Sequence, residues 1–412
     1  MRIRVPYGRT FQTADVPNER LAGLVEPLPV EPRPEHEVLD SALENPVNGE
    51  SLERLLEGAS SVLIVVNDAT RPTPTARLLD HLTSSLRGLE VTVAVATGTH
   101  RAPTEVELGR ILGEPSLKIG RVHIHDARDD TAHVRLAETS SGTPVIVDRV
   151  VLDAERILVL SSVEPHYFAG YTGGRKSILP GLAAFETVEA NHAHAMSDAS
   201  RPLRLEGNPV HDDMIEAADM ILDRRYYGIM TVLDSDGRIH AAAAGDLHGS
   251  LQAVVPAAEK IYAPKVERKE KIVVAAVSPP LDINLYQAQK ALEHGILALE
   301  DGGVLILVSP CHEGLGDDTF ARALQAAGTP EEAIAALPET YRFGDHKVAR
   351  IARAVSRFDV VAVTGIRPDL IASLFMLPAD DLQSALDEAL RKRPDGRVLV
   401  IPRAAETVPR VG

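Results

Sequence analysis

The chain has a single cysteine, Cys311, among its 412 residues. No intrachain disulfide can form and no thiolate cluster can hold a metal, so any metal must rest on imidazole, carboxylate or a ligand brought from outside. Long apolar runs are also missing, and none approaches the roughly 18 residues that a membrane-spanning helix requires. The opening stretch MRIRVPYGRTFQTADVP reads as a strand and turn, without the apolar segment of a signal peptide, which points to the cytoplasm. Positive charge is scarce: 43 Lys and Arg stand against 59 Asp and Glu, for a formal charge of -16. This argues against a nucleic-acid surface, while a local basic pocket for a small anion stays open. The expected partner is therefore a small molecule, with no nucleic acid and no membrane. There is no repeat of about 20–50 residues and no low-complexity tract, which sets solenoids aside.

What is present is the composition of an ordinary globular protein, 44% hydrophobic and 25% charged. The length exceeds the roughly 250–300 residues of a single core and predicts two domains. Eight short apolar runs, SSVLIVV, VTVAVA, RILVLSS, YGIMTVL, KIVVAAV, GGVLILV, FDVVAVT and GRVLVI, alternate with longer helical patterns. Near-continuous Val, Ile and Leu is expected of strands covered on both faces. The fold class is thus α/β, with two Rossmann-like domains, each a mainly parallel sheet flanked by helices. The charged segment YAPKVERKEK at 262–271 marks the boundary, giving domains 1–264 and 265–412, with the active site expected in the crevice between them.

Polar residues gather just after the first three strands, in NDATRPTPT, TGTHRAPT and VEPHYFAGYTGGRKS. Ligands of open α/β sheets bind at the carboxyl ends of strands, so Asp68, Arg71, His100, His166 and Lys176 are expected to converge. GYTGGRKS is one residue away from a phosphate loop, because Arg175 stands where glycine should precede the lysine. Gly173 and Gly174 can still present backbone N–H groups to a phosphate, with Arg175 or Lys176 adding charge. A tight turn followed by a solvated Arg-Lys pair explains the string equally well.

His100 and His166 stand beyond strand ends, where an imidazole can accept or donate a proton, and inverting a stereocentre calls for a base on each face of the substrate. His192 and His194 are two residues apart in a helical pattern and point to different faces, so a single histidine is left as an incomplete metal site. His123 and His125 share one face of a strand, where packing or surface roles are expected. Cys311, in CHEG, reads as a buried small hydrophobe. Arg71 suits bidentate capture of a carboxylate, and Gln287 and Lys290 lie one helical turn apart, with Tyr286 beside them. Asp68 either orients a histidine or makes an Asx-turn at the strand exit.

Taken in order, NDATRPTPT, ATGTHRAPT, EPHYFAGYTGGRKSILPG, ETVEANHA and LYQAQKAL resemble the nickel-dependent lactate racemase family, over most of the chain. The resemblance implies an isomerase, a racemase or epimerase of 2-hydroxy acids, that works by hydride transfer. Its cofactor is a nickel-pincer nucleotide, a pyridinium-3-thioamide-5-thiocarboxylic acid mononucleotide that supplies three donors to Ni and is joined by a thioamide to a lysine. The matching positions are Lys176 for attachment, His192 for the metal, and Gly173, Gly174 and Arg175 for cofactor contacts. His100 and His166 match the catalytic bases, Asp68 a support for His100, and Arg71, Gln287, Lys290 and Tyr286 the substrate-binding residues. It further implies cofactor-synthesis enzymes as partners and leaves a homodimer open. Two other readings remain: a C2 epimerase for longer or polyhydroxylated acids, and a phosphate- or nucleotide-binding module without nickel chemistry.

Overall fold

The computed structural model describes residues 1–113, 120–223, 225–316 and 318–412. The chain forms two compact units, Pro29–Ile261 and a second that joins Met1–Leu28 to Tyr262–Gly412. In chain order, β1 (Arg2–Tyr7) and β2 (Thr10–Asp15) make an antiparallel hairpin, followed by β3 (Leu21–Leu24). The unit Pro29–Ile261 contains β4 (Ser61–Asn67), β5 (Glu90–Ala96), β6 (Gly120–Ile124), β7 (His133–Glu138), β8 (Pro144–Asp148) and β9 (Ile157–Ser162). The two-residue strands β10 (Pro165–His166) and β11 (Gly170–Tyr171) come next, then β12 (Tyr226–Leu233) and β13 (Ile239–Gly245). The remainder carries β14 (Lys265–Val266), β15 (Glu270–Ala276), β16 (Leu299–Val308), β17 (Asp359–Val363), β18 (Leu377–Ala379), β19 (Val398–Ile401) and β20 (Arg410–Val411).

Each unit is built on a six-stranded sheet, in the orders β13-β12-β9-β4-β5-β6 and β18-β17-β16-β15-β19-β3. The first is parallel except for β13, which pairs antiparallel with β12, and the second is parallel throughout. The expected boundary at residue 264 needs one correction. β3 hydrogen-bonds beside β19, so the first residues of the chain belong with the last rather than with residues 29–264. A charged linker marks where a chain leaves one unit; it carries no information about a distant strand that fills the edge of the other.

Val62 to Val66 of β4 are all buried, as both-face coverage requires. On one face, Ile64, Val66, Leu158 and Leu160 pack with Leu78, Leu79 and Leu82 of the helix Thr75–Leu82. Leu160→Ala is expected to cost about 2–5 kcal/mol, since the fixed neighbours cannot close the cavity. On the opposite face the carboxyl end of β9 turns polar. Buried Ser161 there bonds to Asn67 Oδ1 and to Ser177 Oγ, both at 2.9 Å. The strand therefore anchors the core with one set of alternate residues and the functional loops with the other.

Candidate active site

β9, β4 and β5 are neighbours in the sheet, and their carboxyl ends lead to His166, Asp68 and His100. Strands spread over a hundred residues of sequence thus end side by side. Asp68 does both jobs expected of it. Its Oδ1 accepts the Thr70 amide at 3.1 Å and the Thr70 hydroxyl at 2.7 Å, which is the Asx-turn, while Oδ2 lies 2.6 Å from His100 Nδ1. Burial alone would raise the Asp68 carboxyl, but the His100 ring, with Arg71 and Thr70, outweighs this and holds it below its ordinary value. Arg71 is half-buried in the same turn, its amide donating to the Asp68 carbonyl.

The contact with Asp68 places the His100 hydrogen on Nδ1 and leaves Nε2 able to accept a proton. His166 has the opposite arrangement: the Ala169 amide donates to its Nδ1 at 3.3 Å, so the neutral ring carries its hydrogen on Nε2. Asp68→Asn is expected to lower activity about 100-fold, by loosening the His100 tautomer. A pH-rate profile and a kcat against KM split check this, with kcat carrying the loss. The folded Asp68 carboxyl titrates below its ordinary 3.8. Its share of stability is therefore full above about pH 4 and is lost as pH falls through the folded value. Acid unfolding of Asp68→Asn should lack that component.

The segment after β9 folds back on itself. β10 and β11 pair His166 with Gly170 and Pro165 with Tyr171, and a short 3-10 turn over Gly174–Ser177 then carries Lys176. Gly173 and Gly174 both have positive φ, 84° and 55°. A Cβ at Gly173 would lie 2.7 Å from Val163 Cγ2, so this turn needs glycine for sterics as well as for φ. The loops interlock through backbone bonds: the Gly98 amide donates to Gly181 O at 3.0 Å, and the Gly181 amide to Lys176 O at 3.1 Å. Asn67 Nδ2 donates to Ser177 Oγ at 3.1 Å.

Arg175 departs from its expected place as a cofactor contact. Its side chain is fully buried, with Nη1 donating to the carbonyls of Thr172 and Gly173 and Nη2 to those of Ala169 and Tyr171, at 2.8–3.0 Å. Burial pushes this guanidinium down to about 9. Arg175 is the internal clamp of the loop, because a planar fork of donors satisfies four carbonyls that the tight turn strips of water. Arg175→Met is expected to cost about 3–5 kcal/mol, a fall in Tm on the order of 10 °C in thermal denaturation. Unchanged stability with lost cofactor binding would restore the contact role.

Phe168, passed over in the sequence, is the residue around which the other groups gather. Its ring centroid is 4.6 Å from that of His166, 5.1 Å from that of His192 and 5.5 Å from Lys176 Nζ. All four side chains are buried. No periodic signal marks Phe168, because it lies in the turn between β10 and β11. Asn208 holds this segment by donating to Phe168 O at 2.8 Å. His192 sits near the end of the helix Phe185–Ala193, which buried Asn191 ties to Asp213 at 2.7 Å. His194 lies beyond that helix in a 3-10 turn and does not join the group.

Two imidazoles, those of His166 and His192, stand against the Phe168 ring, fewer than a metal site built from protein alone needs. Among the described residues, the group of three metal-capable side chains within mutual reach is His125, His133 and Asp148, and His192 is outside it. A metal at His192 must arrive with its other donors attached, which is what a nickel-pincer nucleotide does, and a buried lysine stands beside the same aromatic ring. The residues present fit the group. In the other unit, burial pushes the Cys311 thiol up to about 12.

In the other unit, Gln287 and Lys290 lie on the helix Leu285–Gly295, whose N-cap Asn284 accepts the Gln287 amide. Both are buried, and Lys290 Nζ donates to Gln287 Oε1 at 2.7 Å. Tyr286, one residue along, turns its ring to Lys347, whose Nζ lies 3.7 Å from the centroid.

Two family profiles match the chain: the lactate racemase N-terminal domain over residues 7–202 and the lactate racemase C-terminal domain over residues 266–408. The chain is 30% identical to the lactate racemase of Thermoanaerobacterium thermosaccharolyticum, over 99% of both chains. It is 31% identical to that of Lactiplantibacillus plantarum, over 97% of both. It belongs to the lactate racemase family. The structure of the lactate racemase apoprotein from T. thermosaccharolyticum superposes with a TM-score of 0.90 at 29% identity, covering the whole of both chains. As a family member the protein is an isomerase of the racemase class, with the α/β architecture described above. Among the described residues, no helix is long and apolar enough to cross a membrane.

Proposed function

We propose that this lactate racemase family member racemises or C2-epimerises a small, lactate-like 2-hydroxy acid, using a nickel-pincer nucleotide tethered to Lys176 and ligated by His192. The observation that carries this reading is the Phe168 ring, which gathers a buried lysine, one metal-capable imidazole and one acid/base imidazole. When bound, the nucleotide supplies an acceptor carbon that takes hydride from C2 of the acid and returns it to the other face of the transient 2-oxo acid.

The chain's own residues do the rest. His100, its Nδ1 held by Asp68, removes the hydroxyl proton in one direction. His166 serves the other face: taking a proton on Nδ1 in place of the long Ala169 contact, it gives its Nε2 proton to the product oxygen and is left with Nε2 as the base for the reverse direction. Arg71, in the same turn as Asp68, pairs with the carboxylate. The buried surroundings of Phe168 exclude water from the reactive carbon. Cofactor-synthesis enzymes are the partners that this reading requires.

The test is a stereochemical assay on protein produced together with those enzymes, across short, acidic and polyhydroxylated 2-hydroxy acids. Interconversion of lactate enantiomers is the expected result. Turnover confined to polyhydroxylated acids would make the protein a C2 epimerase. Tight nucleotide binding without turnover of any hydroxy acid would sink the nickel reading. Tyr286, Gln287 and Lys290 form a separate proposal, as further substrate-binding residues: Lys290→Met is expected to raise KM about tenfold while leaving nickel content alone.

A further inference from the structure

We infer that His125, His133 and Asp148 form a second metal site, for a divalent ion of the Zn2+ type, that braces the loop leading from Lys176. The antiparallel register of β7 and β8 sets His133 directly opposite Asp148, and His125 enters from just beyond the end of β6. The ligand atoms of the three residues lie within 4.8 Å of one another. A tetrahedral ion with bonds of about 2.0–2.2 Å separates its ligands by roughly 3.3–3.6 Å, so small side-chain rotations close the set. Two imidazoles and a carboxylate are a donor set suited to Zn2+, with water completing four-coordination.

Hydrogen-bond bookkeeping supplies the decisive observation. His125 Nε2 lies 3.1 Å from the Ala183 carbonyl oxygen, which only accepts, so that nitrogen carries the ring hydrogen. In the neutral ring Nδ1 is then a bare lone pair, yet it is held 3.0 Å from Asp148 Oδ2, which also only accepts. A cation between them resolves the conflict. A ring N–H given to a backbone carbonyl is the usual outer contact of a metal-bound histidine. His133 points the same way: both of its ring nitrogens are buried and, among the described residues, without a hydrogen-bond partner.

The carboxylate is fixed in advance. Asp148 Oδ1 accepts the Val150 amide at 3.0 Å, and Oδ2 also faces His123 Nε2 at 2.7 Å, which makes His123 the outer support of the site. A cavity of about 500 Å³ lined by His123, Thr131, Asp148 and Arg149 reaches the carboxylate. The site's neighbours explain its use. The Asp148 amide donates to Leu182 O, Val147 bridges to Ala183, and the His125 ring holds Ala183 O. The ion therefore locks the far end of the loop that begins at Lys176, without touching Phe168 or His192.

The experiment uses the full chain made without cofactor-synthesis enzymes, stripped with EDTA and titrated with Zn2+ alone, with bound metal measured by mass spectrometry. One Zn2+ per chain is expected, together with a higher melting temperature. His133→Gln and Asp148→Asn should each weaken binding about 10- to 100-fold and abolish the thermal shift, whereas His192→Gln should leave both unchanged. Circular dichroism reports whether each variant is folded; if Asp148→Asn is not, the half-exposed His133→Gln variant decides alone. No Zn2+ binding by the wild-type chain, or equal binding by folded His133→Gln, would overturn the site and leave His125 as an imidazolium paired with Asp148.

Discussion

His100→Ala and His166→Ala are each expected to lower racemisation about 100- to 10,000-fold while nickel content stays at the wild-type level. The two histidines leave strand ends on either side of β4 in different hydrogen-bonded states. His100 is held through Nδ1 by a buried carboxylate, whereas His166 accepts a backbone amide at Nδ1. Removing either takes away the base for one face of the substrate and leaves the Phe168 cluster of Lys176 and His192 in place. Neither variant should therefore release the metal. Single-turnover experiments sharpen the point, because the two variants should fail in opposite directions: loss of His100 should slow attack on one enantiomer, and loss of His166 attack on the other. Equal slowing of both enantiomers by both variants would mean that one imidazole serves both faces.

A comparably large effect is expected at His192. His192→Ala should lose nearly all bound nickel, and activity with it, while the chain still carries the added mass of the nucleotide on Lys176. His192 is outside the group of three metal-capable side chains found among the described residues, and the other imidazole against Phe168, His166, is the one proposed as an acid/base. A pincer ligand retains the ion far less well without its fourth donor. Elemental analysis and intact mass on the same sample read the two properties separately. Retained nickel in His192→Ala would assign the ligand role elsewhere, and loss of the adduct would mean that His192 holds the nucleotide rather than the metal.

The parts of the fold that were legible in sequence are those where local composition and tertiary role agree. All eight apolar runs rich in Val, Ile and Leu are strands, because burial on both faces demands that composition. β13 escaped notice since IHAAAAG is an alanine run with no strand preference, made a strand only by its pairing with β12. β3 escaped because LAGL is short and its partner β19 is hundreds of residues away. Position beyond a strand end was enough to expect Asp68 and His100 together, and they share a hydrogen bond. It was not enough for Arg175, whose charge suggested an anion until the loop closed four carbonyls around it. His125, His133 and Asp148 were invisible as a group, since only hairpin register and sheet order bring them together.

In the proposed function Lys176 carries the cofactor covalently. The most direct test is the intact mass of the chain produced together with the cofactor-synthesis enzymes, followed by peptide mapping across residues 163–181. One added nucleotide mass, located on Lys176, is expected with about one nickel per chain; an unmodified Lys176 in protein that racemises its substrate would rule out the covalent tether.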